Sequence, residues 1–109
     1  MHQAGCNETE TMERVKACHR ALALLRFLNR EPRTMSNERI VSGRFEQIGL
    51  ACCREEVRAC LERAEKQTLV ELSKIDDLVV VTLLAKGEEA SKGLMEIEGV
   101  LKPGPECPY

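Results

Sequence analysis

Four basic side chains on one predicted helix are the residues best placed to bind a ligand. They are Arg54, Arg58, Arg63 and Lys66. Arginine can contact guanine through two hydrogen bonds, and both residue types neutralise DNA phosphates. Four glutamates between residues 54 and 67 offset this charge, and Glu62 precedes Lys66 at the spacing of an ion pair along a helix. The stretch therefore fits either a DNA contact or a solvated helix face.

The cysteines are the second set of candidates for chemistry. Six stand at positions 6, 18, 52, 53, 60 and 107, and no two have the CxxC spacing usual in zinc sites. Cys53 and Cys60 share one helical face, and together with Cys18 or His19 they would form a metal or thiol sensor. Packing as a small hydrophobe is the commoner role of such a cysteine. We expect no bound metal, and we predict that Cys60 is buried and unliganded between the third and first helices.

Catalytic groups are scarce in this chain. His2 and His19 are the two histidines, and no Ser-His-Asp order, phosphate-binding loop or carboxylate cluster accompanies them. The carboxylates are spread along predicted helices as surface charge. The sequence therefore predicts a protein that is not an enzyme and that has no cofactor.

Length and composition bound the class of protein. A chain of 109 residues suggests one domain, and with 3% aromatic residues its core must be aliphatic. The net charge is −2, whereas a dedicated nucleic-acid binder carries an excess of lysine and arginine, so any basic surface has to be local. No apolar run has membrane-spanning length. The N-terminal stretch lacks the features of a signal peptide, and we expect a cytoplasmic protein with reduced thiols.

Apolar periodicity predicts the first two helices. The first begins near residue 10, carries Val15 and Cys18 on its apolar stripe, and ends before Pro32. Ser36 is a good N-cap for the second helix, and Gly49 is a natural stop. The apolar face of the second helix is formed by Ile40, Val41, Phe45 and Ile48.

The third helix leads into a β-hairpin. Its buried stripe is formed by Val57, Cys60, Leu61 and Ala64. If Asp76 and Asp77 form a two-residue turn, Ile75 opposes Leu78. Alternate strand residues then share one apolar face, consisting of Val70, Leu72, Val79, Val81 and Leu83. A longer loop remains an alternative, because Asp-Asp is a poorer two-residue turn than Asp-Gly.

The remaining chain and the overall pattern predict the fold class. A fourth helix over 84–95 places Ala90 and Leu94 in the core. The predicted organisation is a flexible tail over 1–9, one domain over 10–98 and an irregular tail over 99–109. Three helices, a hairpin wing and a C-terminal helix are typical of an α+β, mostly α, winged helix-turn-helix. The wing tip at Asp76 and Asp77 would repel phosphate and fits a polar turn.

Several short motifs resemble those of a known family. They are the Asn37-Glu38 helix start, Gly49, Arg54, Val57, Arg58, Leu61, Leu69-Val70, Val81-Thr82-Leu83, Gly87, Gly93, Gly99-Val100 and Pro103-Gly104-Pro105. Over about residues 12–105 the chain resembles the small winged-helix proteins of Mu-like phages and prophages, which are often labelled ArsR-type transcriptional regulators. The resemblance implies the winged-helix fold. Three departures reduce the basic, DNA-facing surface that the label implies, namely Cys53 and Leu84 where similar proteins have Ser or Thr, and Leu94-Met95-Glu96 where several have arginines.

Two functions from different classes follow. The first is a DNA-binding protein of phage or prophage origin, a transcriptional regulator or an accessory factor. It would place helix 54–67 in the major groove of double-stranded DNA as half of a homodimer formed through helices 10–30 and 84–95. The alternative is a protein-interaction module that keeps the winged fold without binding DNA, as the acidic wing and the balanced helix charges suggest. A cysteine-based metal or thiol sensor is a third hypothesis.

Overall fold

Four α-helices and a three-stranded antiparallel sheet make up the part of the chain that the structure describes. The computed structural model describes residues 8–109, with side chains from residue 11 onward. The helices are α1 (Glu8–Asn29), α2 (Glu38–Gln47), α3 (Arg54–Lys66) and α4 (Ala85–Ser91), and a single 3-10 turn spans Pro32–Thr34. The strands are β1 (Met35–Asn37), β2 (Val70–Ile75) and β3 (Leu78–Leu83). The class is therefore α+β, as predicted.

Helix α1 crosses the whole domain. Its second half packs a run of leucines, Leu22, Leu24, Leu25 and Leu28, each at most 1% exposed, into the aliphatic core. The first half extends past the other elements, so that residues 11–16 are all exposed. The prediction that Val15 belongs to the buried stripe is therefore wrong, since its side chain is 42% exposed. Residues 8 and 9 of the predicted tail are helical, and residues 1–7 lie outside the described part of the chain.

Strand β1 is an element that the sequence pattern does not predict. It pairs antiparallel with β3, and the sheet order is β1-β3-β2. Three residues are too few to show the alternation that identifies a strand. Because Ser36 is part of β1, the predicted N-cap of α2 is wrong, and the cap is the next residue, Asn37. Its side-chain oxygen accepts the backbone N–H groups of Arg39 and Ile40.

The hairpin has the predicted register. Ile75 pairs with Leu78 and Leu72 with Val81, with Asp76 and Asp77 between the strands. Asp76 has a φ of 56°, a left-handed conformation that aspartate tolerates better than most residues. The predicted inner face packs on the core, although Leu72 is only partly buried.

Two predicted core positions are exposed. Ile40 of α2 is 52% exposed, since its neighbours Val41 and Phe45 occupy the inward side. Leu94 is 70% exposed, because α4 ends at Ser91 rather than at residue 95 and Gly93 turns the chain with a φ of 78°. Ala90 is buried, as predicted. The chain after α4 forms no helix or strand, yet Met95, Ile97, Val100 and Tyr109 pack against the core.

None of the helices within residues 8–109 has the length and apolar character needed to cross a membrane.

The ends of α2 and α3 share one geometry but differ in one residue. After α2, Gly49 (φ 80°) lets Leu50 N–H reach the Phe45 carbonyl at 2.7 Å. After α3, Leu69 N–H reaches the Ala64 carbonyl at 3.0 Å in the same way. There, however, the left-handed position is held by Thr68 (φ 58°), a β-branched residue that is strained in this region.

Thr68→Gly is therefore expected to raise the free energy of unfolding by about 1 kcal/mol, because glycine adopts a positive φ without steric cost. Urea unfolding at neutral pH measures the change. The reverse substitution at the matched position, Gly49→Thr, is expected to lower stability by a similar amount, since no atom lies within 4 Å of an added Cβ and only the backbone conformation is penalised. A loss of stability in Thr68→Gly would contradict this interpretation.

Two helical glycines are expected to respond to alanine with opposite signs. Gly87 of α4 is buried, and an added Cβ would overlap the Leu69 carbonyl oxygen and lie 2.6 Å from Leu83 Cδ1. Gly43 of α2 has open space around that position. Gly87→Ala should lower the free energy of unfolding by about 2 kcal/mol through overpacking, whereas Gly43→Ala should raise it by about 0.5–1 kcal/mol. Equal effects in urea unfolding would show that α4 does not dock closely on residue 69.

Candidate interaction groove

A buried ion pair joins α2, α3 and the hairpin. Arg58 Nε donates to Glu38 Oε1 at 2.7 Å, and Arg58 Nη2 donates to Glu38 Oε2 at 3.0 Å. The same Nη2 also donates to the Asp77 carbonyl in the hairpin turn at 3.2 Å. The side chain of Glu38 is 6% exposed, and that of Arg58 is 32% exposed. One guanidinium therefore fixes the hairpin tip relative to both helices.

The Glu38 carboxylate also completes the sheet. Strand β1 ends at Asn37, opposite Val80, so Val79, the preceding residue of β3, has no strand partner on the β1 side, although it pairs with Lys74 of β2 on the other. Glu38 Oε2 accepts the N–H of Val79 at 3.0 Å and takes the place of that missing backbone carbonyl. An unpaired N–H at this buried position would destabilise the fold, so the carboxylate is a structural group.

Three hydrogen bonds and the positive charges of Arg58 and Arg54 stabilise the ionised form of Glu38. The hydrogen bonds from Arg58 are the largest cause of a pKa shift of Glu38 from its ordinary 4.5 to about 2. The Val79 N–H and the positive charges of the nearby arginines lower the pKa further, and burial opposes the shift. The reciprocal bond to Glu38 raises the pKa of Arg58. Both groups are therefore charged at neutral pH.

The four predicted DNA contacts do not form one basic face. Arg58 is held by Glu38, and Arg63 Nη2 forms an ion pair with Glu56 Oε2 at 2.8 Å. Arg63 follows Arg58 by five positions, which places the two about 140° apart around the helix. Arg54 and Lys66 are exposed and have no ion pair among residues 11–109, but they stand at opposite ends of α3.

A groove of about 740 Å³ opens beside the ion pair, between the first turns of α2 and α3 and the hairpin tip. The helices supply Arg39 and Arg54 to its lining, and the hairpin turn supplies Asp76 and Asp77. Apolar contacts come from Val57, Leu78 and Ile75. Ile75 is 62% exposed at the rim, although it belongs to a strand. The groove thus combines an apolar lining with two arginines on the helices and two aspartates on the hairpin turn.

The thiols and His19 are not gathered into a metal site. Cys60 is buried, as predicted, and its burial raises the pKa of the thiol to about 11. Cys53 is exposed, and His19 Nδ1 lies 2.6 Å from the Tyr109 hydroxyl in a hydrogen bond. Within the part of the chain whose side chains are described, no group of three or more His, Cys, Asp or Glu residues is placed to hold a metal ion.

Arg20 is a buried residue that the sequence analysis does not identify. Its side chain is in the core of the α1 packing, where Nε donates to the Leu50 carbonyl at 2.8 Å and Nη2 to the Ala51 carbonyl at 3.4 Å. Nη1 has no hydrogen-bond partner among the described residues. Arg20 therefore holds the turn before α3. Only its position in the fourth turn of α1, three residues from both Ala17 and Ala23, would have been a signal in the sequence.

The faces proposed for a homodimer are partly used within the chain. Helices α1 and α4 pack against each other, and Arg26 Nη1 of α1 donates to the Ser91 carbonyl at the end of α4 at 2.8 Å. Such a cation at a helix C-terminus satisfies a free carbonyl and complements the helix dipole. The exposed apolar side chains of α1 are Met12 and Val15, near its N-terminal end. Dimerisation through these helices stays a prediction.

Comparison with known proteins identifies one phage relative. The uncharacterized protein gp26 of Escherichia phage Mu is 29% identical to this chain over 88 residues, which are 81% of this chain and 91% of that protein. The similarity supports an origin in a Mu-like phage. No protein-family model matches the chain, and no solved structure matches it significantly.

The Glu38–Arg58 pair predicts an acid-dependent loss of stability. Because the pKa of Glu38 is lower in the folded protein than in the unfolded chain, its contribution is present above pH 4.5 and is lost as the pH falls towards 2. This contribution is on the order of 3 kcal/mol. Urea unfolding between pH 7 and pH 2.5 should show the loss in the parent protein, and Glu38→Gln should be less stable at pH 7 and lack this part of the pH dependence.

The matched control is Glu56→Gln, which breaks the more exposed pair with Arg63. That variant is expected to lose less than about 1 kcal/mol at pH 7 and to keep the parent's acid-dependent loss. If Glu38→Gln and Glu56→Gln had the same pH profile, Glu38 would not be the group responsible.

Proposed function

We propose that the protein is a winged-helix module of a Mu-like phage that docks onto another protein through the groove between α2, α3 and the hairpin. The observation that carries this proposal is the engagement of Arg58. The arginine at the centre of the exposed part of α3 is already bound to Glu38 and to the hairpin backbone, and the groove beside it remains open.

The order of elements supports the winged-helix assignment. Helices α2 and α3 are joined by the short turn at residues 48–53 and are followed by the β2–β3 hairpin, while β1 lies between α1 and α2 and completes a sheet of order β1-β3-β2. In winged helices the corresponding third helix is the one that enters a DNA groove, and the hairpin is the wing. The fold does not by itself assign the ligand, which depends on the surface residues.

The charges near α3 favour a protein partner over DNA. Between Arg54 and Lys66 the exposed surface alternates in sign, with Glu55 and Glu62 in the first and third turns. The hairpin tip carries Asp76 and Asp77, which would meet phosphates with like charge. A DNA-binding surface gains affinity from a continuous basic patch, whereas interleaved charges around an apolar groove are typical of a selective protein interface.

DNA binding by α3 is the second candidate, as a regulator or an accessory factor. The specific observation in its favour is that Arg54 and Lys66 are exposed and have no ion pair within residues 11–109. They are the first and last residues of α3, about 18 Å apart at the helical rise, so they would contact separate phosphates. Arg58 and Arg63 would join them only after leaving Glu38 and Glu56.

One pair of substitutions separates the two candidates. Arg39→Glu changes the groove and leaves α3 intact, whereas Lys66→Glu changes α3 outside the groove lining. Tagged parent and variant proteins are to be purified from cells that replicate a Mu-like phage encoding the untagged chain. The bound proteins, including the untagged chain itself, are then compared quantitatively by mass spectrometry. Docking through the groove predicts a partner whose recovery falls about tenfold with Arg39→Glu and is retained with Lys66→Glu, since one lost charge pair at an interface is worth roughly 1.4 kcal/mol.

The same proteins are then titrated against random and phage-derived duplexes by fluorescence anisotropy at low salt. DNA binding through α3 predicts that Lys66→Glu weakens the affinity while Arg39→Glu has a smaller effect. A partner that binds all three proteins equally, together with salt-sensitive DNA binding that Lys66→Glu removes, would overturn the docking proposal in favour of the DNA candidate.

A further inference from the structure

We infer that the occupant of the groove is the hairpin tip of a second copy of this chain, so that two copies form a symmetric dimer. This inference rests on the proposed function and names the partner of the same groove. It follows from the fact that the groove and the hairpin tip of one molecule have complementary chemistry.

Apart from Glu38, the charged side chains that line the groove form no ion pair among residues 11–109, although the charge of Arg54 acts on Glu38 at longer range. Neither Arg39 nor Arg54, which line it from the helices, forms an ion pair among the side chains described. The carboxylates of Asp76 and Asp77 are exposed and likewise form no ion pair there. Asp77 accepts a hydrogen bond from Arg58 through its backbone carbonyl, and its charge also acts on Arg58 at longer range. Two unpaired arginines and two unpaired aspartates therefore lie at one mouth.

The apolar groups show the same complementarity. Ile75 directly precedes the two aspartates and exposes 62% of its surface at the tip. The apolar lining of the groove is formed by the half-buried Leu78, by Ile75 itself at the rim and, beneath them, by Val57, which is only 1% exposed. An isoleucine followed by two acidic residues is the side-chain sequence that an apolar lining flanked by two arginines would bind. The chain carries both halves of this recognition.

A two-fold axis lets the groove and the hairpin tip of each copy be occupied at the same time. In an isologous contact, each hairpin tip lies in the other molecule's groove, and every ion pair occurs twice. Arg39 and Arg54 of each copy then face Asp76 and Asp77 of the other. In a head-to-tail contact, only one of the two grooves would be filled. The assembly would not close, and the last copy would keep an unbound hairpin tip.

The tip is already held in a fixed position before association. Arg58 binds the Asp77 carbonyl as well as Glu38, so little hairpin freedom remains to be lost in the dimer. The dimer covers the first turn of α3, including Arg54. Self-association and any DNA contact through that turn therefore exclude each other, and the aspartates occupy the position that phosphate would take.

Charge exchange between copies tests the inference on the full chain. The first variant, Asp76→Asn with Asp77→Arg, makes the tip basic while asparagine keeps the left-handed turn at position 76. The second, Arg39→Asp with Arg54→Asp, makes the groove acidic, and its aspartates lie in the first turns of α2 and α3, where negative charge is favourable. Each variant alone places like charges across the two-fold axis.

Sedimentation velocity at concentrations from about 10 µM to 1 mM measures the assembly, a range suited to a small interface. The parent is expected to form dimers that dissociate when salt is raised from about 50 to 500 mM. Each variant alone should be monomeric, with its dissociation constant raised at least about tenfold, and an equimolar mixture of the two should form a heterodimer. Circular dichroism confirms that both variants are folded.

The control exchanges charge on α3 away from the groove, by Glu62→Lys with Lys66→Glu, and should leave the parent's dissociation constant unchanged. A parent protein that stays monomeric at the highest concentration overturns the inference, as does a mixture that remains monomeric. In either case the groove can still bind a different protein. The effect of Arg39→Glu on the co-purified proteins tests that possibility separately.

Discussion

The bidentate contact between Glu38 and Arg58 is the interaction on which the arrangement of the other elements depends. The carboxylate accepts from the α3 arginine and from the Val79 N–H of β3, so it belongs at once to the helix pair and to the sheet. A buried ion pair of this kind adds little net stability over an apolar contact, because both ions lose hydration. Its effect is specific instead, since only one placement of the hairpin lets the guanidinium also reach the Asp77 carbonyl.

Carboxylates recur where the sheet has unpaired backbone groups. Glu38 extends the ladder past the short strand β1, and Glu65 of α3 accepts the Leu72 N–H at 3.2 Å on the free edge of β2. Two arginines of α1 have the corresponding role for carbonyls, because the buried Arg20 binds the turn before α3 and the half-buried Arg26 binds the end of α4. Several charged residues of this small domain therefore act as partners of backbone groups.

This distribution of charge links the fold to the proposed interaction. Arg58 is still 32% exposed, but its guanidinium is bound by Glu38 and the Asp77 carbonyl, so it is not free for the DNA contact that a winged-helix comparison would predict for α3. The arginines and aspartates that line the groove form no ion pair among residues 11–109, and neither does Lys66 at the far end of α3. In the proposed function, an ion pair inside the domain therefore leaves the groove rather than α3 as the binding surface.

The sequence by itself determined the features that arise from local periodicity and turn geometry. The four helices, the hairpin register around Asp76 and Asp77, the stop at Gly49 and the burial of Cys60 all follow from spacings within a few residues. The tertiary structure alone decided the three-residue strand β1, the exposure of Val15 and Ile40, and the pairing of Glu38 with Arg58 twenty positions away. A strand of three residues is too short to show an alternating pattern. A helix that is longer than the elements packed against it leaves apolar residues exposed. The sequence cannot show whether a charged residue forms an ion pair with a distant residue, because folding brings the two together.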